Sequence, residues 1–285
     1  MNAPQIISAT GLRYGLPNDD YHAGEGISKS HLDAIARSPA HYFAKYLDEN
    51  RQPNNPTPAM LAGTLAHCAI LEPEAFHERY VMAPEGIDRR TKAGKEAWEA
   101  FQAIAEGREV ITQEQFVRAF AQRDSVMRLP DVAALFENSA SEVSAYWNDD
   151  VTGELCKCRP DLVHTCADGG VILVDVKTTT DASLREFSRS IAKWRYHVQA
   201  AWYIDGYQKA ADVQVHGFMF VAVESEAPHA ACAYMLDDAS LDLGREIYRR
   251  DLNKLAGCRQ YNEWPGYSNE IEVISLPAWY IKQEQ

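Results

Sequence analysis

The stretch ELCKCRPDLVHTCADGGVILVDVKTT, residues 154–179, decides the fold of this chain. Its first part, Glu154 to His164, alternates: Cys156, Cys158, Pro160 and Leu162 share one face and Lys157, Arg159 and Asp161 the other, as on a β-strand. Asp168-Gly169-Gly170 makes a turn, and Val171 to Thr179 alternates again, with Ile172, Val174 and Val176 on one side and Leu173, Asp175 and Lys177 on the other. Asp161, Asp175 and Lys177 thus stand near strand ends, opposite apolar faces. Burying such groups costs several kcal/mol unless they are paired or bind a metal. Two carboxylates about a hairpin's width apart suit Mg²⁺ or Mn²⁺ and a metal-activated water. The same spacing also describes an ordinary Asp–Lys pair on an exposed strand face.

Outward from this stretch, Val143, Ala145 and Trp147 alternate with Ser144 and Tyr146 ahead of a turn at Asn148, Asp149, Asp150 and Gly153, predicting a hairpin with the Glu154–His164 strand. Helices are predicted near Ala182–Trp194, Tyr196–Ala211 and Leu241–Leu255, with strands near Val213–Glu224 and Ala230–Leu236. Before residue 140 helical patterning dominates. Ser28 and Ser30 are N-cap candidates for a helix bearing Leu32, Ile35 and Ala36, and Pro39 restarts a helix through Leu47. A Pro/Asn-rich loop over Asn50–Pro58 precedes an apolar helix, Ala59–Leu71, and two amphipathic helices follow at about Thr91–Ala105 and Gln113–Arg128. This order describes a mixed β-sheet flanked by helices, in the α/β or α+β class.

Composition removes several classes of function. With 285 residues, 46% of them hydrophobic, the chain can bury a sizeable core. Lys plus Arg number 28 against 41 Asp plus Glu, a net charge of −13, so any contact with nucleic acid must be local. No apolar run approaches the ~20 residues that span a bilayer, and Met1–Thr10 lacks the pattern of a secretory signal, so a membrane partner is not expected and the cytoplasm is. Cys68, Cys156, Cys158, Cys166, Cys232 and Cys258 contain no C-x-x-C pair and read as small buried hydrophobes.

Pro160-Asp161, thirteen intervening residues, and Asp175-Val176-Lys177 resemble the PD-(D/E)xK nuclease signature. Gly63-Thr64-Leu65-Ala66-His67 resembles the G-x-x-x-H segment of the RecB-like branch, and Gln199-Ala200-Ala201-Trp202-Tyr203 its Q-x-x-x-Y helix. From about Ile27 to Leu255 the chain resembles the RecE-type exonucleases (exonuclease VIII), through Ile27-Ser28-Lys29-Ser30, Ser38-Pro39, Glu72-Pro73 and the run from Arg90 to Lys95. The resemblance implies a restriction-endonuclease-like core. It implies one nuclease domain over 1–285, with a helical part at 27–138, a catalytic core at 139–258 and a tail at 259–285.

The same resemblance implies digestion of linear duplex DNA in the 5′→3′ direction, release of 5′-mononucleotides, and a 3′-ended strand left for a single-strand annealing protein of the RecT or Bet kind. It implies a ring-shaped homo-oligomer, trimer or tetramer, as in lambda exonuclease, and one or two Mg²⁺ ions per site. The flanking cysteines that hold an iron–sulfur cluster in some relatives are absent. By this reading His67, Asp161, Asp175 and the carbonyl of Val176 bind metal, Lys177 orients or deprotonates the attacking water, Gln199 positions Lys177 or the phosphate, and Tyr203 supports that helix. Glu142 is a further acidic candidate. Arg89, Arg90, Lys92 and Lys95 form the densest basic run, a solvated loop or a phosphate-gripping arm. Ser28 and Ser30 are plain caps or ligands of a 5′-phosphate, and Arg159, Lys193 and Arg195 are phosphate contacts or ion-pair partners. Trp194, Tyr196 and Trp202 are read as core aromatics. An endonuclease of the same superfamily and a non-catalytic module that holds DNA ends are the rival readings.

Overall fold

The computed structural model describes residues 10–51 and 57–283. Its strands, in chain order, are β1 (Gly11–Arg13), β2 (Tyr80–Met82), β3 (Glu109–Ile111), β4 (Ser139–Ser141), β5 (Ser144–Asn148), β6 (Leu155–Cys158), β7 (Leu162–Thr165), β8 (Val171–Thr179), β9 (Val215–Glu224) and β10 (Ala231–Met235). They form a five-stranded mixed sheet in the order β10-β9-β8-β7-β4, a three-stranded antiparallel sheet β1-β5-β6, and a parallel pair β2-β3. In the large sheet only β8 and β9 run parallel. Their connection passes through the helices Leu184–Trp194 and Tyr196–Ala211, the crossover that a parallel pair requires.

Alternation along β8 and β9 divides the core in two. Val174 and Val176 of β8 with Val221 and Val223 of β9 pack on Ile70, Leu71, Val126, Val132 and Leu135. Leu173, Phe218, Phe220 and Ala222 pack on the opposite face with Ala200, Trp202, Leu252 and Leu255. The sheet is therefore a middle layer. The Pro58–Leu71 helix lies over the first face, started by Pro58 in its first turn and capped by Thr57 Oγ1, which accepts from the Met60 amide at 3.2 Å. At Gly63 this helix passes beside β8, where a Cβ would make ordinary contact with Thr178 Oγ1 at 3.6 Å. Thr91 and Thr112 likewise cap the helices Lys92–Ala105 and Gln113–Met127.

The expected helices and core strands are present, with one revision that matters for the site. The continuous strand expected over Glu154–His164 is broken at Arg159–Asp161, and its halves belong to different sheets: β6 pairs with β5, whereas β7 pairs with β4 and β8. Pro160 explains the break, because it has no N–H to give to a ladder. Nor is β6 polar on one side. Cys156, Lys157 and Cys158 are all buried, and the Lys157 ammonium donates to the carbonyls of Tyr21 and Gly24, each at 2.6 Å. Cysteines 68, 156 and 158 are buried as expected, but Cys166, Cys232 and Cys258 are only partly so. The last core helix runs from Asp238 to Tyr261, beyond the expected Leu241–Leu255. Most of the Pro/Asn-rich loop, residues 52–56, and the first nine residues of the chain lie outside the described residues.

The packing around Trp147 yields a direct test. A Cβ on Gly206, in the Tyr196–Ala211 helix, would stand 2.2 Å from the buried Trp147 ring, whereas one on Gly257, in the Asp238–Tyr261 helix, would meet nothing within 4 Å. Gly206→Ala is expected to cost about 1–3 kcal/mol by overpacking, while Gly257→Ala gains up to ~1 kcal/mol of helix propensity. Urea denaturation of the two variants should give shifts of opposite sign.

Candidate active site

β8 outruns β7. Leu162 pairs with Val174, and beyond it the edge of β8 has no strand partner on that side. There the side chain of Asp161 takes the place of a strand: its Oδ2 accepts the Val176 amide at 2.7 Å, within the protein. Glu142 follows β4 as Asp161 precedes β7, and the Glu142 amide donates to the Asp161 carbonyl at 3.0 Å. Two chain crossings between the sheets, β4 to β5 and β6 to β7, thus run side by side, each bearing a carboxylate. Glu142 adopts a left-handed backbone (φ 53°), which costs about 1–3 kcal/mol for a non-glycine residue and is concentrated at functional positions.

His67 arrives from the Pro58–Leu71 helix, with Nδ1 3.5 Å from Asp161 Oδ2. One ligand atom each from His67, Glu142 and Asp161 lies within 4.8 Å of the others. Hard carboxylate oxygens with one imidazole fit Mg²⁺ or Mn²⁺. Burial and the neighbouring Asp161 push the Glu142 carboxyl up to about 8, against the pull of the Arg159 guanidinium 3.8 Å away. Burial and the Asp175 charge likewise raise Asp161. Carboxylates so crowded out of water either keep a proton or hold a cation between them.

Asp175 is set differently. Oδ1 accepts from the Gln199 amide, while Oδ2 is ion-paired with the Lys177 ammonium but buried without a hydrogen bond of good geometry. Gln199 thus holds Asp175, the ion-pair partner of Lys177. Burial works against the charge on Lys177, but Asp175, Asp161 and the Tyr196 hydroxyl outweigh it and hold the ammonium above its ordinary range. Lys177 also lies 4.8 Å from the centre of the Tyr196 ring. Tyr196 is thus part of the site as well as of the core. Tyr203 packs edge-on against Phe218 at 5.8 Å, and burial raises its hydroxyl well above the tyrosine range. Beside Lys177 opens a cavity of about 630 Å³, lined by Gly63, Arg118, Thr178, Lys193 and Tyr196 among others. Arg118 carried no signal in the sequence, because its place beside Lys177 depends on how its helix packs.

The other basic and hydroxyl candidates are distributed as follows. Arg159 is buried, its Nε donating to Ser144 Oγ at 2.8 Å and Nη2 to the Leu16 carbonyl at 3.0 Å, so it is a structural brace and not a free phosphate contact. Arg195 is paired with Asp251 and Asp33. Ser28 Oγ lies 2.8 Å from His31 Nδ1, and Ser30 Oγ accepts from the Tyr46 hydroxyl at 3.2 Å, a network local to the start of the Lys29–Arg37 helix. Arg89 stacks over Trp98, Arg90 bonds Asp88, and Lys92 and Lys95 are exposed with them at the surface. Trp202 is core, and Trp194 is half exposed.

The carboxylates give the metal-free chain a pH dependence of defined sign. Glu142 and Asp161 keep protons in the folded chain that the unfolded chain has released, so folding becomes less favourable as pH rises above the ordinary carboxylate range near 4. The loss ends where Glu142 ionises, about pH 8. The raised Lys177 acts only at higher pH, since its stabilisation persists until its own proton leaves. His22, His31 and His197, lowered by burial, oppose this trend below the ordinary histidine range near 6.5, so in chelator urea denaturation should show stability falling from pH 7 to pH 8, and Glu142→Gln should flatten that slope. A wild-type profile flat over this window contradicts the assignment.

A comparison with curated proteins found no match. Among solved structures, a "putative exonuclease" from Eubacterium rectale shares the fold at a TM-score of 0.63 and 12% identity, over 94% of this chain and 98% of that one. An alkaline exonuclease from Laribacter hongkongensis matches at a TM-score of 0.29 and 17% identity, over 67% of this chain and 95% of its own, too distant to bear on the fold. The model of one family spans residues 28–277, from the first capped helix through the hairpin bearing Asp161, Asp175 and Lys177. By that match the chain belongs to the PDDEXK-like domain family of unknown function, DUF3799.

Proposed function

We propose that the chain is a divalent-metal-dependent deoxyribonuclease that digests linear duplex DNA from its ends. The observation that carries this reading is the meeting of Asp161, Asp175, Lys177 and His67 at the open edge of β8, next to a cavity whose wall includes Lys177 and Lys193. A purely structural Asp–Lys pair needs neither the adjoining imidazole nor the third carboxylate of Glu142. The likeness to the Eubacterium rectale protein agrees with exonuclease chemistry, and the resemblance to RecE-type enzymes extends the proposal to 5′→3′ polarity, 5′-mononucleotide products and hand-over of the 3′ strand to an annealing protein.

Asp161, Glu142 and His67 would hold the cation, joined by Asp175 once one of its oxygens leaves Lys177. When bound, Mg²⁺ or Mn²⁺ supplies Lewis acidity toward the phosphate and lowers the pKa of a water. The protein's own part is positioning. In the metal-free chain Asp175 and Asp161 hold Lys177 protonated; once Asp175 turns to the cation, Lys177 is freed to orient or deprotonate the attacking water. Gln199 holds the Asp175 carboxylate at a fixed rotation. Lys193 in the cavity wall offers a contact for a terminal phosphate, Arg118 there being paired with Glu114 and Glu226, and the exposed Arg89–Lys95 run offers contacts for the duplex. A homo-oligomeric ring lets a chain of charge −13 concentrate these few cations on a central channel while its acidic remainder faces water.

End-labelled linear duplex and covalently closed circular duplex, each with Mg²⁺ and with chelator, test the proposal. Linear DNA should be lost from its 5′ ends only with metal, and circles should survive. Rapid cutting of circles would favour an endonuclease, and no cutting of either an end-binding module. Asp161→Asn should lower cleavage by at least ~100-fold with DNA binding retained, and Lys177→Ala should depress kcat far more than affinity. For the basic run, replacing Arg90 and Lys92 by Ala should flatten the salt dependence of binding by about one unit per lost phosphate contact. Unchanged slopes would remove that run from the interface.

A further inference from the structure

At the other end of β8, far from the carboxylates, three metal-ligating side chains converge. Cys166 ends the extended segment after β7, Asp168 belongs to the following turn, and His216 is the second residue of β9. One ligand atom from each lies within 4.8 Å of the others. The His216 Nε2 is 2.9 Å from Asp168 Oδ2, and the Gly170 amide donates to Asp168 Oδ1 at 3.0 Å, holding the carboxylate in place. The turn is closed by the Cys166 amide donating to the Gly170 carbonyl at 2.8 Å and the Gly169 amide donating to the Cys166 carbonyl at 3.0 Å.

Two features of the backbone aim His216 at this turn. Val171 pairs with Val215 and Ile172 with Gly217, so His216 is the extra residue of a β-bulge, a device that redirects a side chain. Residue 170 is glycine, and any Cβ there would stand 2.1 Å from His216 Nε2, so the imidazole seats directly against the main chain. An ordinary surface ion pair asks for neither.

We propose that Cys166, Asp168 and His216 form a binding site for Zn²⁺ or a similar borderline-soft divalent cation. Thiolate, imidazole and carboxylate are a zinc donor set, with bonds of about 2.3, 2.0–2.1 and 2.0–2.2 Å, and the three ligand atoms already lie within 4.8 Å of one another, leaving a fourth position for water. Thiolate ligation separates this site from the oxygen-rich one, which favours Mg²⁺. Asp175 lies four residues beyond Val171 along β8, roughly 13 Å at 3.3 Å per residue, so the ion would clasp the β7–β8 turn to β9 without touching the chemistry.

Co²⁺ added to the chelator-treated full-length protein is the probe, because sulfur-to-cobalt charge transfer in the near ultraviolet reports a thiolate ligand that the His67 site lacks. The expected result is one such Co²⁺ per chain, displaced by Zn²⁺ but not by millimolar Mg²⁺. Cys166→Ser should abolish the band and Cys258→Ser should retain it. Affinity for Zn²⁺ should fall at least ~10-fold in His216→Ala, and the rise in melting temperature that Zn²⁺ gives the wild type should vanish in Cys166→Ser. Equal melting temperatures of Cys166→Ser and wild type in chelator show that the variant folds. Absence of the band in the wild type, or its persistence in Cys166→Ser, overturns the proposal.

Discussion

The Val176 amide, donating to Asp161 Oδ2 at 2.7 Å, ties the site together. An amide on the unpaired edge of a buried strand must find an acceptor, and leaving it unmade would cost about 1–3 kcal/mol. The acceptor supplied is a carboxylate from the point where the chain crosses between sheets. One bond therefore completes the edge of β8 and fixes an acidic group next to Asp175, Lys177 and His67. Pro160 makes it possible by ending the β6 ladder, so that residue 161 presents its side chain to β8 where a continuing strand would have presented its backbone.

Electrostatics then determine what the site can hold. Asp161 and Glu142 share a space poor in water, and the nearby permanent cations are already assigned, Arg159 as a brace and Lys177 to Asp175. The left-handed backbone of Glu142 belongs to the same crossing, where the main chain turns from one sheet to the other over Glu142 and Val143. Left-handed backbone, burial and like charge thus coincide at Glu142, one of seven non-glycine residues with positive φ among the described residues.

Much of this was legible in the sequence. The alternation of Val171–Thr179 placed Asp175 and Lys177 on one face, opposite Val174 and Val176, because a strand's side-chain period is local and independent of what packs on it. His67 and Gln199 came from the resemblance, and the Pro58–Leu71 and Tyr196–Ala211 helices carry both to the site. What could not be read was set by distant partners. Arg159 looks like a free cation until its guanidinium meets Ser144 and the carbonyl of Leu16, and Lys157 looks like an exposed residue until Tyr21 and Gly24 cap it. The split of Glu154–His164 into two sheets, and strands of three residues such as β1 to β4, leave no periodic signal at all.

The paired crossings at Glu142 and Asp161 bear on how such a chain can diverge. A residue inserted or lost between β4 and β5, or between β6 and β7, would shift one crossing against the other and turn its carboxylate to the wrong face. Length changes are tolerable only where turns meet solvent, as at 150–153 between β5 and β6; Asp149 itself is buried, bonded by the Thr152 amide and paired with Arg249 of the Asp238–Tyr261 helix. Descendants of this architecture are thus free to lengthen the rim of the small sheet and to redecorate it, while the few residues that join the two sheets keep their spacing.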